Sequence, residues 1–438
     1  MKVRLPEEPD TLPTVGVQPP VRPRGAAPWV WLLRFLAVVG PGLIVTFADT
    51  EAGSITTAAV SGAQYGMKLI LLQLLLIVPL YVIQEMTVRL GIYTGKGHAQ
   101  LIRERYGIGW AWVSLGTMLL TNLAALVTEF AGIAGAALIF GINPQPLVIA
   151  AAIALLLIVA SGKYKRAEYA ALALCSVELL FIPAAIAAHP NLGAILHQGI
   201  LGSQPLGNQS YLLLVASNIG AVIMPWMIFY QQSATVEKKL RERDLPFARL
   251  DTAIGSVATQ IIMIAIIVMT AATLYVHRIA VIDAAHAALA LIPLAGRFAG
   301  VAFGVALIGA SMLGALVVSL ATSWAFGEAF GWPCSLEMPV LGAKRFYGLY
   351  ALGIVGTAAL VLIPGLPLIQ LTVYVEAFNG FVLPIVLGFL LVLINDPKVL
   401  PRARNTWLGN TITIAISLTV VVLGFWMLVA TIRAPAGG

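Results

Sequence analysis

The sequence predicts an all-α polytopic membrane protein with about eleven spans. These are read as two inverted units of five helices followed by one extra helix. Three observations carry this. Hydrophobic residues make up 60% of the 438 and charged residues only 10%, with a mean hydropathy of +0.93, which excludes an ordinary soluble domain. Apolar runs long enough to cross about 30 Å of hydrocarbon recur along the chain. Two of these runs, the first and the sixth, are interrupted where a membrane helix would be at mid-depth.

Taken in order, the apolar runs cover residues 30–62, 66–90, 109–140, 145–161, 169–188, 211–233, 250–276, 299–326, 348–365, 367–394 and 408–431. The first 28 residues are proline-rich, carry both signs of charge and contain no apolar segment after the early bases, so they read as a disordered cytoplasmic tail. The transmembrane domain then covers 29–438, with one repeat over about 30–188, a second over about 211–394 and the extra helix over 408–431. An odd number of spans per repeat forces the second to run through the membrane in the opposite sense.

The formal charge of +7 points to topology and not to nucleic acid. With eleven spans, every lysine and arginine except Lys68, Arg278, Arg297 and Arg433 falls on one side. Positive residues mark the cytoplasmic side, so the N-terminus is expected inside and the C-terminus outside; an error of one span would scramble this alternation, which supports the count. A plasma (inner) membrane location is the expectation. The two cysteines, Cys175 and Cys334, imply no disulfide framework.

The chemistry concentrates in the first span. Asp49-Thr50-Glu51-Ala52-Gly53-Ser54 sets two carboxylates and a glycine inside a run that is otherwise apolar over residues 29–63. An acid at the centre of a membrane helix costs about 2.5–3.5 kcal/mol on insertion scales, so it faces a cavity, a base or a cation. The only base in this segment is Arg34, far down the helix, which makes a cation the leading partner. Span six carries Gly220-Ala221-Val222-Ile223-Met224-Pro225-Trp226. Proline lacks an N–H and clashes with the carbonyl four residues back, which frees the Ala221 region to coordinate an ion; a simple kink is the plainer account of the same proline.

Other acids divide by surroundings. Glu85 precedes Arg89 by four residues and reads as a helix-surface ion pair. Glu328, near the end of its span, reads as reaching water. Glu178 is open between a pathway residue and a packing residue. Glu129 and Glu376 lie deep in spans with no base beside them, the usual position of proton relays and ion sites, a neutral structural acid being the alternative. All five histidines, His98, His189, His197, His277 and His286, are expected in loops.

These residues resemble the Nramp family of proton-coupled divalent-metal transporters, which implies the leucine-transporter-type fold. Gly40-Pro41-Gly42-Leu43, Glu51-Ala52-Gly53-Ser54 and Ser61-Gly62-Ala63-Gln64-Tyr65-Gly66 are similar to the family's first helix with its Asp-Pro-Gly-Asn metal motif. QEMTVRLGIYTGKGHAQ over 84–100 resembles the stretch after its second helix, and GAVIMPWMIFYQQS over 220–233 its sixth-helix Met-Pro-His segment. The resemblance implies metal binding by Glu51, Ser54, the Ala221 carbonyl, the Met224 thioether and, aligned on Leu383-Pro384, Glu376. It implies a proton-route or supporting role for Asp49, Glu129, Trp226 and Gln232. The departures are equally plain: aspartate is replaced by Glu51, proline by Ala52, asparagine by Ser54, and both sixth-helix histidines by Trp226 and Gln232. The chain therefore reads as a divergent member. Without those histidines, whose pKa lies nearest neutrality, proton coupling would run through Glu51, Glu129 or Glu376.

The function expected is a secondary transporter carrying divalent metal ions towards the cytoplasm by alternating access. Mixed oxygen and sulfur ligands favour manganese or iron(II), with magnesium as the second reading. The ion is substrate, and no cofactor is implied; the partners are the ion, the bilayer and, if transport is coupled, protons. Alternatives are a sodium-coupled organic-solute symporter of the same fold and a sensor that binds metal without moving it. No His-Glu-x-x-His or Gly-x-Ser-x-Gly motif supports an enzyme.

Overall fold

The computed structural model describes residues 28–281, 284–363 and 372–433. Of the predicted tail only Pro28 is among them. The chain forms two compact units that meet between Ala37 and Val38 in the sequence. The first unit holds most of α1 (Pro28–Val38), an apolar helix on which Trp31 stacks against Phe35.

Helices in the second unit follow the apolar runs. Span one continues as α2 (Pro41–Phe47) and α3 (Ala52–Tyr65), and span two is α4 (Ile70–Thr94). A short helix, α5 (His98–Tyr106), precedes α6 (Ile108–Ile139) and α7 (Pro144–Ala160). Span five is α8 (Tyr164–Glu178) with α9 (Phe181–Ala187), and a single turn, α10 (Leu192–Ala194), leads towards span six, α11 (Gln209–Val222) with α12 (Pro225–Glu237). Then come α13 (Leu245–Thr270), α14 (Ala284–Phe330), α15 (Lys344–Val361), α16 (Thr372–Asn395) and α17 (Trp407–Arg433). Among the described residues there is no strand.

Each of the eleven predicted runs overlaps one or more of these helices, the first run three of them, although only eight helical stretches among the described residues are by themselves long and apolar enough to cross a membrane. The difference has local causes. The end of span one runs into span two with no loop between, so Ala52–Thr94 forms one stretch, and neither α7, which is too short, nor α15, which starts with two bases, is among the eight. Residues 364–371, which hold the end of predicted span nine and the start of predicted span ten, lie outside the described residues. Span eight begins earlier than its apolar pattern implies, because Gly296 takes a φ of 86° and joins two helices within α14. That backbone conformation favours glycine.

The two interruptions differ in origin. In span one, α2 closes at Phe47, the Thr50 amide bonds the Phe47 carbonyl at 2.7 Å, and Glu51 is an extended N-cap from which α3 starts. The break thus occupies residues 48–51, a little before the Glu51-to-Ser54 stretch that the sequence suggested, since Gly53 sits comfortably in the first turn of α3. In span six, Pro225 opens α12 at a position where its missing N–H costs nothing. Close packing sets α16 against α11: a Cβ on Gly220 would overlap the Glu376 carbonyl and stand 2.6 Å from the Gly380 amide. Small residues at such contacts let membrane helices approach closely.

The bundle's two ends are held together differently. At the base-rich end, the Asp251 carboxylate on α13 accepts the amides of Gly40 (3.2 Å), Gly42 (2.7 Å) and Leu43 (3.3 Å), capping α2 from another helix. The Lys238 ammonium reaches both the Val39 carbonyl and Glu168 at 2.6 Å. Glu85 pairs with Arg89 at 3.0 Å, as its spacing predicts, and also with Arg249 at 2.7 Å. Arg105 pairs with Asp396. All ion pairs among the described residues lie at this end. Towards the opposite end the ties are neutral: Gln73 donates to Asn218 at 2.7 Å, Asn218 donates to Ser61 at 2.9 Å, and the Tyr65 hydroxyl donates to Asn208 at 3.1 Å.

Candidate cation site between two broken helices

The break in span one turns the chain so that Glu51 points into the bundle at the start of α3. Its carboxyl is fully buried, neither oxygen has a hydrogen-bond donor, and the acids acting on it include Glu129, Glu376 and Asp49. Gly53 makes the approach sterically feasible. A Cβ there would overlap Glu376 Oε1 and stand 2.7 Å from Glu51 Oε1, so the absence of a side chain leaves room for both carboxyls. Glu376 is steadied by Asn379, which donates to its Oε2 at 3.2 Å, while its Oε1 is unpartnered. Glu129 Oε2 accepts the Ala52 amide at 3.3 Å, and the N-terminus of α3 favours negative charge at that point. Asp49, inside the break, is buried with neither oxygen bonded.

The span-six break faces this group. Pro225 frees the Ala221 carbonyl, which accepts the Ser54 hydroxyl at 2.9 Å; a carbonyl has a second lone pair, so a cation could share it. Met224 is buried beside the break, but its sulfur accepts the Trp226 indole N–H at 3.0 Å. Among the described residues no three His, Cys, Asp or Glu side chains form a metal cage. A cation here would rest on a pair of carboxyls completed by hydroxyl, carbonyl or water oxygens. That donor set is hard. Beside it, Ala52, Thr56, Thr128, Ala131 and Gly132 help line a cavity of about 20 Å³, room for roughly one water.

Residues 42–430 match the family model described as natural resistance-associated macrophage protein-like, Nramp. The chain belongs to the Nramp family. Its relatives include a divalent metal cation transporter, MntH, of Ralstonia nicotianae, 27% identical over 417 residues and 91% of each chain. MntH 1 of Pseudomonas aeruginosa is 32% identical over 64% of this chain and 66% of its own length. MntH of Staphylococcus haemolyticus is 30% identical over 55% of this chain, and the match spans only 57% of that relative. Among solved structures, the Eremococcus coleocola manganese transporter superposes with a TM-score of 0.71 at 18% identity, covering 94% of this chain and 91% of that one. MhsT, solved with L-phenylalanine, gives 0.57 at 18% identity, covering 91% and 98%. The fold of this Nramp chain is thus the leucine-transporter type, two inverted five-helix units with the first helix of each broken. The MntH relatives are named as divalent metal cation transporters.

The structure of the Nramp chain brings some of the expected site residues together and separates others. Glu51, Glu376 and Glu129 meet around the start of α3, and Ser54 meets Ala221. Gln232 lies away from them: its side chain bonds the Lys96 carbonyl at 2.8 Å and His98 Nδ1 at 3.1 Å, fixing the segment before α5. Glu178, at the end of α8, is buried with both oxygens unpartnered. Glu328 does not reach water as its position suggested; it accepts Ser233 at 2.5 Å and lies over Gly97, while its Oε2 is buried. Three histidines expected in loops are in helical segments, His197 within a short π-helical stretch, Ile195–Ile200. His286 is in the first turn of α14, and His98 opens α5 fully buried with its ring edge-on to Phe229. The sequence reading also passed over Asp251, whose place at the very start of an apolar run hid it, and Ser311, whose hydroxyl in a glycine- and alanine-rich stretch carries no signal.

Proposed function

We propose that this Nramp protein is a secondary transporter that moves divalent metal cations inward by alternating access, binding the ion between the breaks in spans one and six. The observation that carries this reading is the meeting of Glu51 and Glu376 over Gly53, both buried and neither opposed by a base. A divalent cation supplies the charge these acids lack. The relatives' activity, divalent metal cation transport, supports it.

The base-rich end is proposed to be cytoplasmic, in a plasma membrane, with the N-terminus inside and the C-terminus outside. The repeats are proposed to run over about 30–188 and 211–394. Inward movement of a divalent ion then gains about 2.3 kcal/mol per charge per 100 mV. Any coupled proton would use Glu51, Glu129 or Glu376.

Which ion is carried turns on Met224. A manganese or iron(II) reading uses its thioether as a ligand. The Trp226 N–H on that sulfur and the oxygen-rich surroundings favour the second reading, magnesium, an ion that takes oxygen ligands and retains water. Uptake of manganese and magnesium into proteoliposomes tests both. Glu51→Gln should lower either flux at least about 100-fold, as expected for the loss of a charged ligand. Met224→Leu should leave magnesium uptake within about twofold if sulfur is not a ligand. Flux indifferent to Glu51 would overturn the site; loss of all flux in Met224→Leu would overturn magnesium.

A further inference from the structure

Helices α6 and α14 face each other in register beside the start of α3. On α6, Glu129 and Gly132 are three residues apart and so share a face; on α14 the same holds for Ser311 and Gly314. The Glu129 carboxyl lies directly on Gly314, where a Cβ would overlap Oε1 and stand 2.6 Å from Cδ. One turn along, Ser311 Oγ lies on Gly132, 2.6 Å from where its Cβ would be, with the Ala52 methyl 2.5 Å from the same point. The Ser311 hydroxyl is fully buried and unpartnered, and Glu129 Oε1 is also unpartnered. Ala52 and Gly132 in turn border the water-sized cavity.

A buried hydroxyl without a partner lowers stability, while serines in membrane helices ordinarily bond their own helix backbone. Ser311 does neither job of a packing residue. We propose that Ser311 and Glu129 form a second position for the transported cation, next to the Glu51–Glu376 position and reached through the small cavity. Its ligands are the hydroxyl, one carboxylate oxygen and water, a hard set that suits a divalent ion keeping part of its hydration shell. Glu129, whose Oε2 accepts the amide of Ala52 next to Glu51 in the chain, links the two positions, so the ion moves by exchanging one carboxylate before releasing the other. The proposal rests on the divalent-cation reading of the site.

The test uses the full-length protein with Ser311→Ala and Ser311→Cys. Removing an unsatisfied hydroxyl should leave the thermal midpoint of Ser311→Ala unchanged or raised, while its KM for magnesium uptake rises about tenfold through loss of an ion ligand. Ser311→Cys places a soft ligand at the same point, and titration of the purified protein with cadmium should give thiolate-to-metal absorbance above that of the wild type, whose Cys175 and Cys334 supply the background. Wild-type flux together with an unchanged KM in Ser311→Ala and no added absorbance in Ser311→Cys would overturn this second position. Absence of divalent flux in the wild type would instead count against the transport reading, and the cadmium signal, which needs no transport, would still decide whether Ser311 reaches a bound cation.

Discussion

Glu51 is aimed by the backbone around it. As an extended N-cap it projects across the helix gap, and glycine two residues later keeps the space beside it open. Gly53→Ala should therefore push Glu51 and Glu376 apart, with an overpacking cost of about 1–3 kcal/mol. Uptake in proteoliposomes is expected to fall at least about tenfold while the protein still purifies as a folded monodisperse species; near-normal uptake would mean that the two acids need not meet. The sequence made Glu51 visible because an acid in an apolar run stands out. It could not show that Glu376, more than 300 positions away in sequence, shares its space, nor that Ser54 would bond Ala221, since both depend on how separate helices cross. Asp251 and Ser311 were illegible for opposite reasons: one sat at a boundary, and the other was too ordinary.

Helices were legible wherever hydropathy alone determines them, and their ends were not. Gly296 and the continuous run through Gly66–Leu69 change where spans begin without changing the apolar count. Short amphipathic elements were harder still. The sequence left His98 in a loop, whereas α5 begins with it and docks it against Gln232 and Phe229, outside the membrane-spanning helices. Burial lowers its pKa to about 4 from 6.5, only partly offset by Gln232. The folded value lies below the unfolded one, so the unfolded chain takes up the proton first. This contribution to stability is intact above about pH 6.5 and lost as pH falls towards 4, by up to about 3 kcal/mol. His98→Gln should flatten the dependence of the melting temperature on pH over that window; an unchanged slope would mean that His98 is not buried neutral in the folded protein.

At the scale of the whole molecule, charge is sorted by end. Base counting anticipated one charged face, but not that its charges would be joined into a latch on α2 by Asp251, Lys238 and Glu168. Charge-assisted hydrogen bonds of this kind contribute about 1.5–3 kcal/mol each. Asp251→Asn should therefore raise the population opened at that end about tenfold. The measurement is labelling of Ser54→Cys by a thiol reagent added from the base-rich side, in a background without Cys175 and Cys334. Labelling no faster than in the parent would mean that the latch does not hold α2 shut.

The contrast between a charged lock at one end and neutral hydrogen bonds at the other also bears on what the protein does when it has nothing to carry. Reopening a few amide and hydroxyl contacts is easier than separating carboxylates from an ammonium and three peptide N–H groups. On the proposed orientation the idle carrier waits open to the outside more readily than to the cytoplasm. It then behaves as a check valve, and a cell whose surroundings run short of the ion loses little of its internal store through it.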